Sequence, residues 1–345
     1  MTSTTTPTTG SRHLALALAI PLLLCVGMAL AYLGGFGDPT PHHVKVELAS
    51  SKTESVQPLA TALRTRLGAR FDISATTPSR AGSDVAKARA VAAYLPGREP
   101  QLLVNSAASP TEAQVAVQLF TTVAATTARA PLAVHDLAAL PANDPLGQNA
   151  FFLLVALTIG GYTAALAIGA AGAHLRPLVR AGLGVLLGGA LAMIAAIITE
   201  PLYGSLHGHF LEITAVAWLY LIGVVLIGIG LHSFFGRFTT GILVALFVML
   251  NFTTSAGVSA PTLQAPFFSA LSHVWTGNGF VTAVRGMLYG SGAGTTAGIE
   301  RIGLWAIAGV LLIALAAWRE SRHLKPIVLP ARAPEQDELD GIVAA

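Results

Sequence analysis

The segment from Asn149 to Trp318 contains no lysine and no aspartate, and only three glutamates and five arginines. Apolar runs of about twenty residues recur within it, which is the length that an α-helix needs to cross a hydrocarbon core of about 30 Å. Because no water in such a core satisfies the backbone N–H and C=O groups, these runs must be helical. The sequence therefore predicts a membrane protein, with spans at roughly 149–173, 181–199, 210–231, 238–258 and 299–318.

The composition separates this chain from soluble proteins. Hydrophobic residues make up 53%, charged residues 11%, and the mean hydropathy is +0.66, whereas charged residues make up about 25% of a typical soluble domain. The net charge is only +3 and no basic cluster with interleaved aromatic residues occurs, which excludes nucleic-acid binding. Cys25 is the single cysteine, which excludes an intramolecular disulfide and a cysteine zinc site. Abundant Ala, Gly and Thr with only four lysines are typical of GC-rich bacterial coding.

A sixth apolar run, Leu14–Phe36, follows a Thr- and Ser-rich segment, residues 1–11, which is predicted to be a disordered cytoplasmic tail. Arg12 and His13 precede the run, as in a signal peptide, but the run is longer than the roughly 7–15 apolar residues of a signal peptide. No small-x-small cleavage site follows it. The interpretation is an uncleaved transmembrane helix over residues 12–36.

Between the first and second spans, residues 38–148 have the composition of a soluble domain, with charges of both signs interspersed. Strand-like alternation occurs at 44–49 and 69–75, and apolar residues recur at helical spacing over 54–67. This order of strands and helices predicts a small α/β domain with helices packed on a mixed sheet. The remaining predicted elements are a helix at 83–90, strands near 91–95 and 101–106, a helix that begins at Pro110, and a strand near 131–136.

The distribution of Lys and Arg predicts the orientation. If the N-terminus is cytoplasmic, the α/β domain is extracellular, and the short loops with Arg176, Arg180 and Arg237 lie in the cytoplasm together with the tail, residues 319–345. The loop 200–209 contains no Lys or Arg and is external, so the positive-inside rule is satisfied. The expected fold is an α-helical multi-pass protein of a bacterial plasma membrane. It has six transmembrane helices, an extracellular α/β domain between helices 1 and 2, and both termini in the cytoplasm.

Small residues indicate how the spans pack. Gly184 and Gly188 form a GxxxG pattern in the third span, and such patterns allow two helix backbones to approach closely in lipid. The expected role is helix packing, and a sliding surface used during transport is the alternative.

Residues 261–289 are predicted to form a re-entrant or interfacial helical hairpin within the five-helix domain, residues 149–318. Two amphipathic stretches, each too short to cross a bilayer, flank Gly277-Asn278-Gly279, which is a turn signal. Such pieces are tolerated at membrane depth where protein or a watery cavity covers them.

Ionisable residues near a membrane are functional candidates. Arg285 lies on the polar face of the second stretch of the hairpin, where pairing with Glu300, Glu212 or lipid headgroups is favoured over direct substrate binding. A second group, interpreted as interfacial and solvated rather than metal-binding, lies between the third and fourth spans: Glu200, His207, His209 and Glu212.

The stretch SAGVSAPTLQAPFFSALSHVWTGNGFVTAVRGMLYG, residues 255–290, resembles the region before the last helix in ABC type-2 exporter permeases, and especially in their phage-infection-protein-like branch. The residues that carry the resemblance are Pro266, Phe267, Leu271 and Arg285. A proline usual between the two short helices of that family is replaced here by Thr276-Gly277. DPLGQNAFFLLVALTIGGY, residues 144–162, resembles the entry of the family into its second span, and the shared architecture covers essentially the whole chain.

The resemblance implies the membrane-spanning subunit of an ABC exporter for an apolar or amphipathic substrate, assembled as a homodimer or paired permease. A Walker A loop requires a Gly-Lys pair, and this chain has none. The resemblance therefore implies a separate ATPase subunit, and no catalytic residue, cofactor or metal site is expected here. The loop with His174, Arg176 and Arg180 would contact that ATPase, unless its arginines only enforce orientation.

A second class of function remains open at the level of the sequence. The chain could be a non-transporting membrane scaffold or receptor whose extracellular α/β domain binds a partner or an envelope component.

Overall fold

The computed structural model describes residues 8–128, 130–203, 208–289, 292 and 294–323. This part of the chain is mostly helical and contains one five-stranded sheet. The first helix, α1 (Thr8–Phe36), begins before the predicted start at residue 12, so residues 8–11 of the predicted disordered tail are helical. Residues 1–7, and residues 324–345 of the predicted C-terminal tail, lie outside the described residues.

The α/β domain is built on a mixed sheet in the order β2-β1-β3-β4-β5. Neighbouring strands are parallel except β3 and β4, which are antiparallel. The strands are β1 (Val44–Ala49), β2 (Phe71–Thr76), β3 (Ala92–Leu95), β4 (Gln101–Val104) and β5 (Ala133–Asp136), and the helices are α2 (Gln57–Leu67), α3 (Pro78–Ala86) and α4 (Pro110–Thr127). These elements follow the predicted order.

One helix of this domain is shifted relative to the prediction. α3 begins at Pro78 rather than at residue 83, because proline is well suited to the first helical turn, where its missing N–H costs nothing. The helix ends before Ala88, whose φ of +53° does not fit a right-handed helix.

Apolar side chains between the sheet and its helices form the core of the α/β domain. Tyr94 of β3 and Phe120 of α4 are fully buried, and their rings stack with 4.8 Å between centroids. Leu263, which comes more than a hundred residues later in the chain, belongs to the same core. The α/β domain is therefore completed by a residue from the membrane domain.

Residues 260–263 join the α/β domain to the membrane domain. Ala260 is part of the same core, and its N–H donates to Thr111 Oγ1 at 3.2 Å. The N–H of His42 donates to the carbonyl of Thr262 at 2.7 Å. The α/β domain thus contacts the segment that leads directly into the predicted hairpin.

Four helical stretches of the described chain are long and apolar enough to cross a membrane, by length and composition. Three of them belong to single long helices. α1 adds a further apolar stretch, Leu22–Phe36, among the residues whose side chains are described. The four stretches are Asn149–Ala171 in α5 (Asn149–Ala171), Pro177–Glu200 in α6 (Pro177–Tyr203), Phe210–Thr253, and Thr295–Arg322 in α12 (Thr295–His323).

The stretch Phe210–Thr253 consists of two helical pieces. The first is α7 (Phe210–Phe235), and the chain breaks at Gly236, whose φ of +51° is accessible to a residue without Cβ. The second piece, residues 239–253, covers only about 22 Å at 1.5 Å per residue. The predicted span 238–258 is therefore helical only as far as residue 253. The second piece is made of α8 (Thr239–Leu243), a π-helical segment (Val244–Leu250) and α9 (Asn251–Thr253).

The two pieces run antiparallel. Leu243, early in the second piece, contacts Gly228 in the C-terminal half of α7. Asn251, near the end of the second piece, donates from Nδ2 to the hydroxyl of Tyr220 at 2.9 Å. The chain therefore returns alongside α7 towards the α/β domain.

The helix α7 lies at the centre of the membrane domain and packs against α5, α6 and α12. Gly184 and Gly188 of α6 face it. A Cβ added at Gly184 would lie 2.8 Å from the side chain of Ile229, and one at Gly188 would lie 3.4 Å from that of Leu221. Both glycines lie where a GxxxG pattern is expected to bring helices together.

The helices α5, α7 and α12 run in the same direction and begin at the end of the bundle that carries the α/β domain. Gly161 and Gly169 of α5 approach Val224 and His232 of α7, in the same order along both helices. The opposite end of the bundle carries basic side chains at His174, Arg176, Arg180, Arg237, Arg319 and Arg322.

The two short helices predicted for the hairpin are present as α10 (Pro266–Ser272) and α11 (Thr276–Leu288). The predicted position of the turn between them is wrong. The chain turns at His273–Trp275, whereas Gly277, Asn278 and Gly279 form the first turn of α11, without the positive φ of a glycine turn.

Candidate functional site

The turn of the hairpin lies deep in the helical bundle. Trp305 Nε1 donates to the carbonyl of Val274 at 2.8 Å. Trp305 lies ten residues after the start of α12 at Thr295, which is about 15 Å along a helix. Trp275 Nε1 donates to the carbonyl of Leu246 at 3.2 Å, within the π-helical segment. The hairpin therefore descends about halfway along the bundle from the end with the α/β domain.

Arg285 anchors the upper part of α11 to two other segments of the chain. Its guanidinium donates to the carbonyls of Gly147 at 2.7 Å, Ala256 at 2.9 Å and Gly257 at 3.2 Å. The side chain is buried, and none of the ion pairs among the described residues includes it. Backbone carbonyls thus satisfy most of the donors of this buried cation.

The expected pairing of Arg285 with Glu300 or Glu212 is wrong. The guanidinium is held instead by carbonyls 28 to 138 residues away in sequence. Arg285 Nε is buried and has no hydrogen-bond partner.

The backbone that binds Arg285 adopts an unusual conformation. Ala256 has a φ of +61° and Gly147 a φ of +63°. A left-handed conformation is costly for alanine, by roughly 1–2 kcal/mol, because its Cβ approaches a carbonyl oxygen. Such strain persists only where the surroundings impose it, and it concentrates at functional sites. Arg285 supplies part of that constraint through its bond to the Ala256 carbonyl.

Asp144 and Tyr289 form a second contact beside Arg285. The hydroxyl of Tyr289 donates to Asp144 Oδ2. Asp144 also accepts from the N–H groups of Gln148 at 2.8 Å and Asn149 at 3.2 Å, at the start of α5. The buried carboxylate thus satisfies N–H groups that a helix N-terminus leaves unpaired, and it ties the end of α11 to the beginning of α5.

Lower on α11, Asn278 connects the hairpin to α12. Arg301 donates from Nη1 to Asn278 Oδ1, and the Thr282 hydroxyl donates to the same oxygen at 3.3 Å. Asn278 and Arg285 are seven residues apart and lie on one helix face, because seven residues are close to two full turns. The polar face of α11 therefore carries an amide, a hydroxyl and one guanidinium group, and Arg301 of α12 brings a second guanidinium to it.

The glycines of α11 serve close packing. A Cβ at Gly277 would lie 2.4 Å from Asn251 Oδ1, and one at Gly279 would lie 2.8 Å from the carbonyl of Gly298. Asn251 in turn donates to Tyr220, whose hydroxyl forms a 2.6 Å hydrogen bond with Thr158. A buried polar network from α5 through α7 thus lies directly behind the start of α11.

A cleft of about 390 Å³ follows the polar face of α11. Its upper wall is the α/β domain, including Asn105, Ser109 and Glu112, and its sides are α11 and α12. It extends down to His273 at the turn of the hairpin. The other residues of α11 and α12 that line it include Asn278, Thr282, Arg285, Ala297 and Arg301.

Comparison with family models, curated proteins and solved structures finds no match to this chain.

The three residues of the predicted ATPase-contact loop differ in their surroundings. His174 and Arg176 are exposed between α5 and α6. Arg180 is buried in the first turn of α6, and its Nη2 donates to Glu320 Oε1 of α12 at 2.7 Å. Arg180 therefore joins two helices, and His174 and Arg176 form the accessible part of the loop.

The other predicted hairpin residues lie on α10. Pro266 occupies the first position of the helix, Phe267 is largely exposed, and the carbonyl of Leu271 accepts from the Trp275 N–H at 3.2 Å across the turn. None of the three lines the cleft.

The interfacial group between the third and fourth spans is only partly described. His207 lies outside the described residues, and Glu212 is exposed in the first turn of α7. Within the described part of the chain, no three His, Cys, Asp or Glu side chains are grouped as metal ligands.

Sequence reasoning missed Asp144, Tyr289 and Arg301 as members of the site. A signal for Asp144 was present, because an aspartate shortly before an apolar helical run is typical of a helix start. Arg301 carried no local signal, since its partner Asn278 lies on another helix.

Proposed function

We propose that this chain is the membrane-spanning subunit of an ABC-type exporter, which moves an apolar or amphipathic substrate while a separate ATPase chain hydrolyses ATP. The observation that carries the proposal is the cleft along α11, because it begins at the α/β domain and reaches about halfway down the bundle. Transporters commonly form their substrate sites from broken helices near the middle of the membrane. A segment that only anchored the α/β domain to the bundle would not require the break between α10 and α11 or the polar face of α11.

In this proposal the chain crosses a bacterial plasma membrane six times. The proposed crossings are α1, α5, α6, α7, the helical piece 239–253 and α12. That piece is short for a bilayer, but Thr254 and Ser255 beyond it are fully buried in protein. Non-helical backbone is tolerated at membrane depth under that condition.

The proposed orientation places the α/β domain outside the cell and both termini in the cytoplasm. The supporting observation is the basic end of the bundle, opposite the α/β domain, where Arg176 and Arg237 are exposed. Basic residues of short loops favour the cytoplasmic side.

We assign the contact with the ATPase to the loop between α5 and α6, through His174 and Arg176. Arg180 contributes indirectly, since its bond to Glu320 fixes the start of α6 against α12. A homodimer or paired permease would cover part of the apolar surface of α12, where Leu304, Ile307 and Leu311 are exposed.

The decisive experiment is purification of the tagged full-length chain from membranes of its native host in a mild detergent. We expect a second chain with a Walker A motif to co-purify and to hydrolyse ATP. Arg176→Glu should abolish its retention, whereas Arg237→Glu, at an exposed arginine of the same end, should not. Absence of ATP hydrolysis from the wild-type preparation, with the chain intact, would contradict the proposal.

One observation favours the scaffold or receptor as a second candidate. β5 is an edge strand, and all four of its residues are exposed. Edge strands pair readily with a strand of another chain. Val134→Lys should disrupt such pairing, so loss of function in this variant, with ATPase retention unchanged, would favour the second candidate.

A further inference from the structure

The cleft along α11 has an excess of positive charge. Its charged side chains are Arg285, Arg301 and Glu112, with His273 as a fourth titratable group. Glu112 Oε1 already accepts a hydrogen bond from the hydroxyl of Thr262. Neither arginine belongs to any ion pair among the described residues. The buried Asp144 beside Arg285 offsets the charge at that end of the cleft. Arg301 is therefore the group that favours an anionic occupant.

The two arginines offer different donors. Arg285 is buried and fixed by three carbonyls, and its Nε remains unpartnered. Arg301 is only partly buried and binds Asn278 through Nη1. A guanidinium has five N–H donors, so Arg301 keeps several for a ligand.

The spacing of the two arginines shows that the cleft is longer than a single anionic group. Arg301 binds the α11 face at Asn278, and Arg285 lies seven residues further along the same face, about 10 Å at 1.5 Å per residue. The hydroxyl of Thr282 lies between them on the lining of the cleft. A cleft of about 390 Å³ accommodates an anionic group together with the polar moiety attached to it.

We infer that this cleft binds a phosphate group through the remaining N–H donors of Arg301, with the polar moiety attached to the phosphate extending towards Arg285. Phosphate suits these donors because several of its oxygens accept hydrogen bonds at once and match the fork of arginine. The phosphate comes either from a phospholipid headgroup or from a water-soluble phosphate compound. Both sources share the chemistry that the cleft recognises.

The test uses the full-length chain in a non-ionic detergent and measures binding by titration calorimetry. Three probes separate the sources: dihexanoyl phosphatidylglycerol, inorganic phosphate and dihexanoylglycerol, which has the acyl chains but no phosphate. Binding of phosphatidylglycerol without binding of inorganic phosphate supports a lipid headgroup. Binding of inorganic phosphate, in competition with phosphatidylglycerol, supports a soluble phosphate compound.

Variants of Arg301 tie the binding to the cleft. Arg301→Gln should weaken binding by about tenfold or more, as expected for loss of a charge-assisted hydrogen bond. Arg301→Lys, which keeps the charge but loses the fork, should give an intermediate affinity. Arg237→Gln, at an exposed arginine on the opposite end of the bundle, should bind as the wild type does. Equal thermal stability of the variants shows that they are folded.

Three results would overturn the inference: no binding of either phosphate probe, equal binding of dihexanoylglycerol, or wild-type affinity in folded Arg301→Gln. The measurement requires no ATPase and no transport. Its failure is therefore distinguishable from failure of the proposed export function.

Discussion

Arg180 and Glu320 form an ion pair between the first turn of α6 and the last turns of α12, with 2.7 Å between Nη2 and Oε1. The two side chains differ in their surroundings, since that of Arg180 is 4% exposed and that of Glu320 is 47% exposed. The pair joins two helices whose sequence positions differ by 140 residues. It thereby closes the end of the bundle opposite the α/β domain.

The unequal burial of this pair predicts an asymmetric effect of substitution. Glu320→Ala leaves a buried guanidinium without its partner and should lower the free energy of unfolding by about 1–3 kcal/mol. Arg180→Met preserves the apolar stem and leaves a carboxylate that water can solvate, so the loss should be smaller. Thermal unfolding in detergent measures both, with Glu300→Ala, an exposed glutamate of the same helix, as the control. Equal losses in the two variants would contradict the burial argument.

Close packing of α11 predicts that its glycines do not tolerate a methyl group. Gly277→Ala and Gly279→Ala should each cost about 1–3 kcal/mol, because the added Cβ overlaps Asn251 or Gly298. Gly303→Ala in α12 is the matched control, since no atom lies within 4 Å of its added Cβ. That substitution should be neutral or stabilising, by up to about 1 kcal/mol. The prediction fails if the three variants unfold at the same temperature.

The left-handed conformation of Ala256 predicts an uncommon benefit from glycine. Ala256→Gly relieves backbone strain and should leave the stability unchanged or raise it by up to about 1 kcal/mol. Ala260→Gly, at a buried alanine with a φ of −62°, should instead destabilise by about 0.5–1 kcal/mol. Thermal unfolding in detergent compares the two variants, and a larger loss in Ala256→Gly would show that the strain is absent.

Two neighbouring carboxylates of the α/β domain predict opposite pH effects. The hydrogen bond from Arg89 holds the pKa of Asp84 below its ordinary value. The stability that ionised Asp84 contributes is therefore present above its unfolded pKa of about 3.9. This stability is lost as the pH falls through the folded pKa. Burial, followed by the charge of Asp84, raises the pKa of Glu47. Ionised Glu47 therefore opposes folding above its raised pKa, and this penalty disappears as the pH falls.

Amide hydrogen exchange of the β1 and α3 peptides, corrected for the intrinsic rate at each pH, tests these signs. Asp84→Asn should speed exchange at pH 7 and still do so near pH 4, and the difference from the wild type should shrink only as the pH falls below about 3.9. Glu47→Gln should slow exchange at pH 7 or leave it unchanged, and its advantage should vanish near pH 4. Faster exchange in Glu47→Gln at pH 7 would reverse the assigned sign.

The proposed topology predicts which surfaces an impermeant thiol reagent reaches in whole cells. After Cys25→Ser, a cysteine at position 98 in the α/β domain should be labelled. A cysteine at position 237 should be labelled only after the membrane is permeabilised. The opposite pattern would invert the orientation.

The positions of the elements could be read from the sequence because they depend on local periodicity. Alternation of apolar residues at 44–49 and helical spacing over 54–67 each reflect one face of a strand or helix buried against a core. The same reasoning found the long apolar helices and the two short helices of the hairpin. Local periodicity does not fix the number of bilayer crossings, because the piece that returns after the break at Gly236 is helical only over residues 239–253.

The candidate site depended on contacts that no local pattern contains. Gly277 and Gly279 resemble a turn in sequence, but they are required for close approach to Asn251 and to the backbone of α12, and the turn lies at His273–Trp275. The sequence by itself determined that the chain enters a membrane and carries an α/β domain, because burial of apolar surface has a fixed period along each element. Only the tertiary structure decided that Arg285 binds carbonyls up to 138 residues away. A buried cation takes whichever acceptors the folded backbone brings within reach, and folding brings together segments that are far apart in the sequence.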